Sequence, residues 1–159
     1  MRVLFATNDQ RFLNVAQVPL RHQFPLCDIH QAYSVEEATN LLEVAEDCNE
    51  FDVMVVDEEI LKQDWELRQI QMLRERWECI PIVVTTESWC EEFSNKFFGA
   101  GIDDYVTKTA VPQVLGHSVW SAIQRRRGRL AIEADTRSRQ GMLEDIKSRL
   151  KEESKDGSR

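Results

Sequence analysis

Three consecutive acids, Asp57, Glu58 and Glu59, close the apolar run Val53-Met54-Val55-Val56. Ionised carboxylates are too costly to bury unpaired, so the chain must reach the surface at Asp57. Like charges so close repel one another unless a cation or solvent separates them. Taken alone the cluster reads as a solvated loop. Other chemistry-bearing residues close apolar runs as well: Thr7, Asn8 and Asp9 after RVLFA, Thr85 and Thr86 after IPIVV, and Lys108 after IDDYVT. Carboxylates, hydroxyls and one ammonium would form a single charged site if the fold brought these ends together. A structural ion pair between Asp57 and Lys108 is the simplest form of such a site.

The elements that would position them are legible in the spacing. Five apolar runs suit strands: 2–7, 27–32, 52–57, 80–85 and 102–107. Four unbroken apolar residues at 53–56 have no polar side, as in a strand covered on both faces. Helical spacing lies between the runs. Phe12, Val15 and Ala16 mark a first helix, which Pro19 is expected to kink or end. Ser34 and Glu37 stand at capping-box spacing ahead of Ala38, Leu41, Leu42 and Ala45. Leu67, Ile70, Leu73 and Trp77 mark a third helix. Phe93 and Phe97 lie on a fourth that stops at Gly99-Ala100-Gly101. A fifth follows Pro112 through Val114, Leu115, Val119, Ala122 and Ile123.

Strict alternation predicts an α/β fold, a doubly wound parallel sheet with helices on both faces. Sites in such sheets lie beyond the carboxyl ends of the strands, which is where Asp57, Thr86 and Lys108 fall.

The 159 residues suffice for one buried domain, assigned to 1–127, plus an appendage at 128–159. A net charge of -8 disfavours nucleic acid as a partner. No apolar run approaches membrane-spanning length, so no membrane partner is expected. The opening MRVLFATND is too short and too soon polar for a signal peptide, and Cys27, Cys48, Cys79 and Cys90 form no framework. A cytoplasmic protein with reduced thiols is expected. His22, His30 and His117 lack ligand spacing, Gly99-Ala100-Gly101 precedes a strand where a dinucleotide loop follows one, and no nucleophile elbow surrounds Ser88. The appendage is charged, with apolar clusters at Leu130, Ala131 and Ala134 and at Met142, Leu143, Ile146 and Leu150. A homodimer through this helix is one expectation; residues 151–159 are expected to be disordered.

KFFGAGIDDYVTK (96–108) resembles the last helix–strand segment of bacterial response-regulator receiver domains (CheY-like), whose pattern is roughly AGADDYxxKP. PIVVTTES, FDVMVVD and MRVLFATNDQRFL resemble the family's fourth, third and first strand regions, so that the resemblance covers about residues 1–127. It implies a flavodoxin-like sheet of order 2-1-3-4-5 and a two-component function without enzymatic output. Asp57 would accept a phosphoryl group from a histidine kinase or phosphotransfer protein, Lys108 and Thr86 would hold phosphoryl oxygens, and Tyr105 would turn inward behind Thr86. A carboxylate nucleophile needs nearby positive charge. The family supplies it as Mg²⁺, which here would fall to Asp57, the Glu59 backbone carbonyl, Asp9 and Asn8. A downstream output protein or domain would read the switch.

The chain also departs from the pattern. Thr7 and Asn8 stand where an acidic pair belongs, with Asp9 one position late. Each missing carboxylate removes roughly 8 kcal/mol of gross attraction to a divalent ion at ~4 Å and an effective dielectric of ~20. Mg²⁺ binding is expected to be weak, unless Glu59 folds inward as a replacement charge. Leu61, Trp65 and Thr109 replace a proline, a glycine and a second proline, and Glu87 sets a bulky acid after Thr86. An insertion is expected around EDCNEF (46–51). Two functions follow: phosphoryl acceptance that switches a partner-binding surface, or a phosphorylation-independent, receiver-like interaction module.

Overall fold

The computed structural model describes residues 1–44, 50–61 and 66–156, the side chains at 66, 145 and 148–156 apart. Trp65, most of the expected insertion and the side chain of Leu150 therefore lie outside the described residues. The order is β1 Arg2–Ala6, α1 Gln10–Gln23, β2 Asp28–Ala32, α2 Val35–Val44, β3 Val53–Asp57, a 3₁₀ turn Glu58–Ile60, α3 Glu66–Arg76, β4 Ile82–Thr86, α4 Glu91–Ala100, β5 Asp104–Thr107 and α5 Val111–Asp156. All strand pairs are parallel and the sheet order is β2-β1-β3-β4-β5, the flavodoxin-like order expected.

The sheet is buried on both faces because its central strands are apolar at every position. Side chains alternate across a strand. Leu4, Met54, Val56, Ile82 and Val84 thus pack on one face with Ala38, Leu42, Ile70, Leu73 and Phe97 of α2, α3 and α4. Val3, Phe5, Val53, Val55 and Val83 pack on the other with Phe12, Ala16 and Leu20 of α1 and Leu115, Val119 and Ile123 of α5. Cys27 and Cys79 each pack at the edge of one of these clusters.

Pro19 does not end α1, which runs on to Gln23. An internal proline costs about 3 kcal/mol, but Ala16 and Leu20 on either side are fully buried, and tertiary packing outweighs one lost hydrogen bond. Ser34 caps α2 as expected, its Oγ accepting from Glu37 N at 3.1 Å. The return arm is displaced by one residue, with Glu37 Oε2 accepting from Tyr33 N at 2.8 Å. α4 ends on Gly101, whose φ of 107° is open to glycine. Phe97 is in the core, whereas Phe93 points outward.

The chain divides into two units, Met1–Arg126 and Arg127–Arg159. In the second, Ile132, Met142, Leu143 and Ile146 are exposed, and Arg139 pairs with Asp135 at 2.9 Å. Of the segment 151–159 expected to be disordered, 151–156 continue α5 and 157–159 lie outside the described residues.

Candidate functional site

Parallel pairing sets the rim. Ala6 is opposite Val56 and Asp57 opposite Thr85, so the next residue of the first strand region, Thr7, arrives beside Asp57. Thr7 Oγ1 donates to Asp57 Oδ2 at 2.8 Å, and both residues are fully buried. Thr7, not Asp9, holds the position against Asp57.

Asp57 Oδ1 faces Lys108 Nζ at 3.2 Å and accepts from Glu59 N at 3.3 Å. Lys108 comes to the rim because its backbone N–H donates to Thr86 O at 2.7 Å, directly after β5. Its stem crosses Phe12 of α1, with Nζ 4.8 Å from the ring centroid. The same ammonium meets Glu59 Oε1 at 3.1 Å and Glu87 Oε1 at 3.0 Å. A lysine ammonium has three donors. Each here faces a carboxylate. Burial pulls the Lys108 pKa down, but hydrogen bonds to Glu87 and Glu59 and the charge of Asp57 outweigh it and hold the pKa above its ordinary value.

Thr86, also buried, donates to the Glu58 carboxylate, and its Oγ1 lies 3.1 Å from Ser88 O. Tyr105 is partly buried and stacks on Phe97 at 5.7 Å between ring centroids. The sequence-selected quartet of Asp57, Thr86, Tyr105 and Lys108 thus lies at or just behind one rim, with the polar groups of Asp57, Thr86 and Lys108 engaged by the chain itself.

The residues named for Mg²⁺ lie around Asp57, with Asp9 N donating to Thr7 Oγ1 at 3.1 Å, but they do not turn a second carboxylate onto it. Asp9 Oδ1 caps α1, accepting from Arg11 N at 2.8 Å and Phe12 N at 3.0 Å. The Phe12 hydrogen bond is the main reason that the Asp9 carboxyl sits below its usual pKa; the Arg11 bond and the charge of Lys108 add to it, and desolvation opposes them. Asn8 is exposed, and the Glu59 side chain, the expected replacement charge, is spent on Lys108. Among the described residues no group of three or more His, Cys, Asp or Glu side chains is spaced to hold a metal ion. Mg²⁺ needs a nearly octahedral shell of oxygens. A hydroxyl proton from Thr7 and the Lys108 ammonium occupy the two faces of Asp57 instead, and the donor set does not fit the ion.

A second buried aspartate was missed in the sequence. Asp103, just before β5 at the amino ends of the strands, is fully buried in its side chain. Arg74 Nη2 lies 2.7 Å from Oδ2, Arg126 Nη2 lies 3.0 Å from Oδ1, and Ile82 N donates to Oδ2 at 2.9 Å. Arg74 also donates to the carbonyls of Gly101, Glu78 and Ile80 at 2.8, 2.9 and 2.8 Å. A Cβ at Gly101 would stand 2.8 Å from Arg74 Cγ, a second reason for glycine there. The cluster ties α3, β4, β5 and α5 together. Its only sequence signal was the acid pair Asp103-Asp104 after Ile102, inside the segment already read for its resemblance.

No family model and no curated protein matches the chain. Solved structures do. A response regulator receiver domain protein from Clostridium thermocellum is 17% identical over 79% of this chain and 96% of that one, with a TM-score of 0.65. A CheY-like receiver domain protein from Methanospirillum hungatei JF-1 is 18% identical over 80% and 97%, with a TM-score of 0.64. A third, an atypical orphan response regulator whose structure is described as revealing a new phosphorylation-independent regulatory mechanism, is 18% identical over 78% and 96%, with a TM-score of 0.61. At these identities the likeness establishes architecture: the chain has the fold of response regulator receiver domains.

Proposed function

We propose that this chain is a receiver-like signalling module that works through partner binding, without phosphorylation of Asp57. One observation carries the reading: the three donors of Lys108 face three carboxylates of the chain itself. A phosphoryl group on Asp57 would have to displace them. It would replace the single charge of Asp57 by between one and two on the phosphoryl group, a gain of up to about one negative charge at a rim that already holds Glu58, Glu59 and Glu87 against one lysine. Each unit charge at ~4 Å from another costs roughly 4 kcal/mol at an effective dielectric of ~20. The absence of a fitting Mg²⁺ site removes the usual counterweight. The module is non-enzymatic in this reading, and works in the cytoplasm. Its output is a protein partner, reached through the surface of the first unit or through the exposed apolar residues of the second, where a second copy of the chain is one candidate.

The competing reading is phosphoryl acceptance from a histidine kinase or phosphotransfer protein. The 3.2 Å approach of Lys108 to Asp57 favours it, since that is the pairing an acyl phosphate would use. Intact mass after incubation with acetyl phosphate and Mg²⁺, beside an Asp57→Ala control, separates the two. The proposal expects no phosphoryl adduct in either protein. An adduct that disappears in Asp57→Ala would replace it with phosphoryl acceptance.

A further inference from the structure

The rim contacts join three separate connections. Glu58 and Glu59 lie on the 3₁₀ turn after β3, Glu87 on the turn between β4 and α4, and Lys108 on the turn after β5. Glu58 reaches Thr86, and Glu59 and Glu87 each reach Lys108. The β4–α4 turn is therefore held at both Thr86 and Glu87. Among the described residues few other contacts fix it. Cys90, the N-cap of α4, makes no side-chain cap hydrogen bond, so the helix start lacks the side-chain anchor that Asp9 and Ser34 give α1 and α2. A further tie among the described residues is the Thr86 hydroxyl, which accepts from Ser88 N at 3.4 Å and so depends on where Glu58 keeps that hydroxyl. The turn and first helical residues carry two exposed aromatic rings, Trp89 and Phe93, the latter with Lys96 Nζ 5.6 Å from its centroid.

We propose that Glu58, Glu59 and Glu87 form a built-in carboxylate clasp on Thr86 and Lys108. It holds the β4–α4 turn, and with it Trp89 and Phe93, in one presentation without any modification of the chain. The carboxylates take the hydroxyl and ammonium contacts that a bound oxyanion would otherwise take. Glu87 is the arm that opens first. Its side chain is 65% exposed, against 49% for Glu59 and none for Asp57, so water replaces its contact most readily. Release of Glu87 leaves the turn on the Glu58–Thr86 contact, while Lys108 stays paired with Asp57 and Glu59. The inference rests on the closed rim proposed above and adds what that closure does.

Amide hydrogen exchange of the full chain, followed by mass spectrometry, tests the clasp. Glu58→Ala and Glu87→Ala are compared with wild type and with Glu43→Ala, which removes the Glu43–Arg76 pair away from the rim. Exchange at Ser88 and at the first hydrogen-bonded amides of α4, 94–97, is expected to rise severalfold in both rim variants, more in Glu58→Ala than in Glu87→Ala. Residues 53–57 should stay protected, and Glu43→Ala should leave Ser88 and 94–97 unchanged. Unchanged exchange at Ser88 and 94–97 in both rim variants, or a uniform rise through the whole fold, would overturn the clasp. The acetyl phosphate experiment fails separately. An adduct on Asp57 would defeat the closed-rim reading whatever the exchange shows, whereas no adduct with unchanged exchange would defeat the clasp alone.

Discussion

The molecule buries two aspartates at opposite ends of the same sheet and treats them in opposite ways. Asp103, at the amino ends of the strands, has two guanidinium groups and a backbone N–H on its carboxylate. Asp57, at the carboxyl ends, shares one ammonium with two more carboxylates and leans on a neutral hydroxyl. One cluster has positive charge to spare and the other has negative charge to spare. The Asp103 cluster is built to hold elements together. The Asp57 rim is balanced closely enough that any one carboxylate can leave without stranding the lysine.

That contrast orders the expected effects. Asp103→Ala would leave Arg74 and Arg126 buried without their anion, and breaking a buried pair in this way costs about 3–5 kcal/mol. Urea unfolding should show the loss as a lower midpoint at unchanged slope. Lys108→Met strands Asp57 but returns Glu59 and Glu87 to water, so a smaller loss of about 2–3 kcal/mol is expected in the same assay. Lys108 also gives the rim a pH signature. Its folded pKa is raised, so its contribution is complete below the unfolded lysine value of ~10.4 and is lost as pH rises through the folded value. Wild type should therefore lose stability in strongly alkaline solution more steeply than Lys108→Met.

Thr7→Val removes the donor to Asp57 Oδ2 and should cost about 1–2 kcal/mol, a test of whether the hydroxyl holds the carboxylate. Asp57→Asn should be the mildest, under about 1 kcal/mol, because Lys108 keeps Glu59 and Glu87 and one like-charge repulsion disappears. Equal and large losses from Asp57→Asn and Asp103→Ala would erase the distinction between the two ends.

The fold was legible because its signal is periodic and local. Unbroken apolar runs at 53–56 and 82–84 mark strands covered on both faces, and the helices between them carry apolar residues at helical intervals. Pro19 does not end its helix because helix propensity is local while the burial of Ala16 and Leu20 that overrides it is tertiary. The rim was half legible. Strand order gathered Asp57, Thr86 and Lys108, and Glu87 stood out as a bulky acid beside them. That Glu59 and Glu87 both turn onto Lys108 depends on rotamers that no spacing encodes. The Asp103 cluster was illegible for a different reason: Arg74 and Arg126 lie 29 and 23 positions away, on helices where an arginine reads as solvated surface.

The central claim is that the rim is closed by the chain's own carboxylates. Its most direct test is a titration of the wild-type protein with beryllium fluoride, a tetrahedral phosphoryl analogue, in the presence of Mg²⁺, followed through the backbone amide resonances of Thr86 and Lys108. The account predicts no saturable shift at either residue, because every donor that the analogue needs is already occupied. Saturable shifts at both, lost in Asp57→Ala, would mean that the carboxylates yield to an incoming anion, and would contradict it.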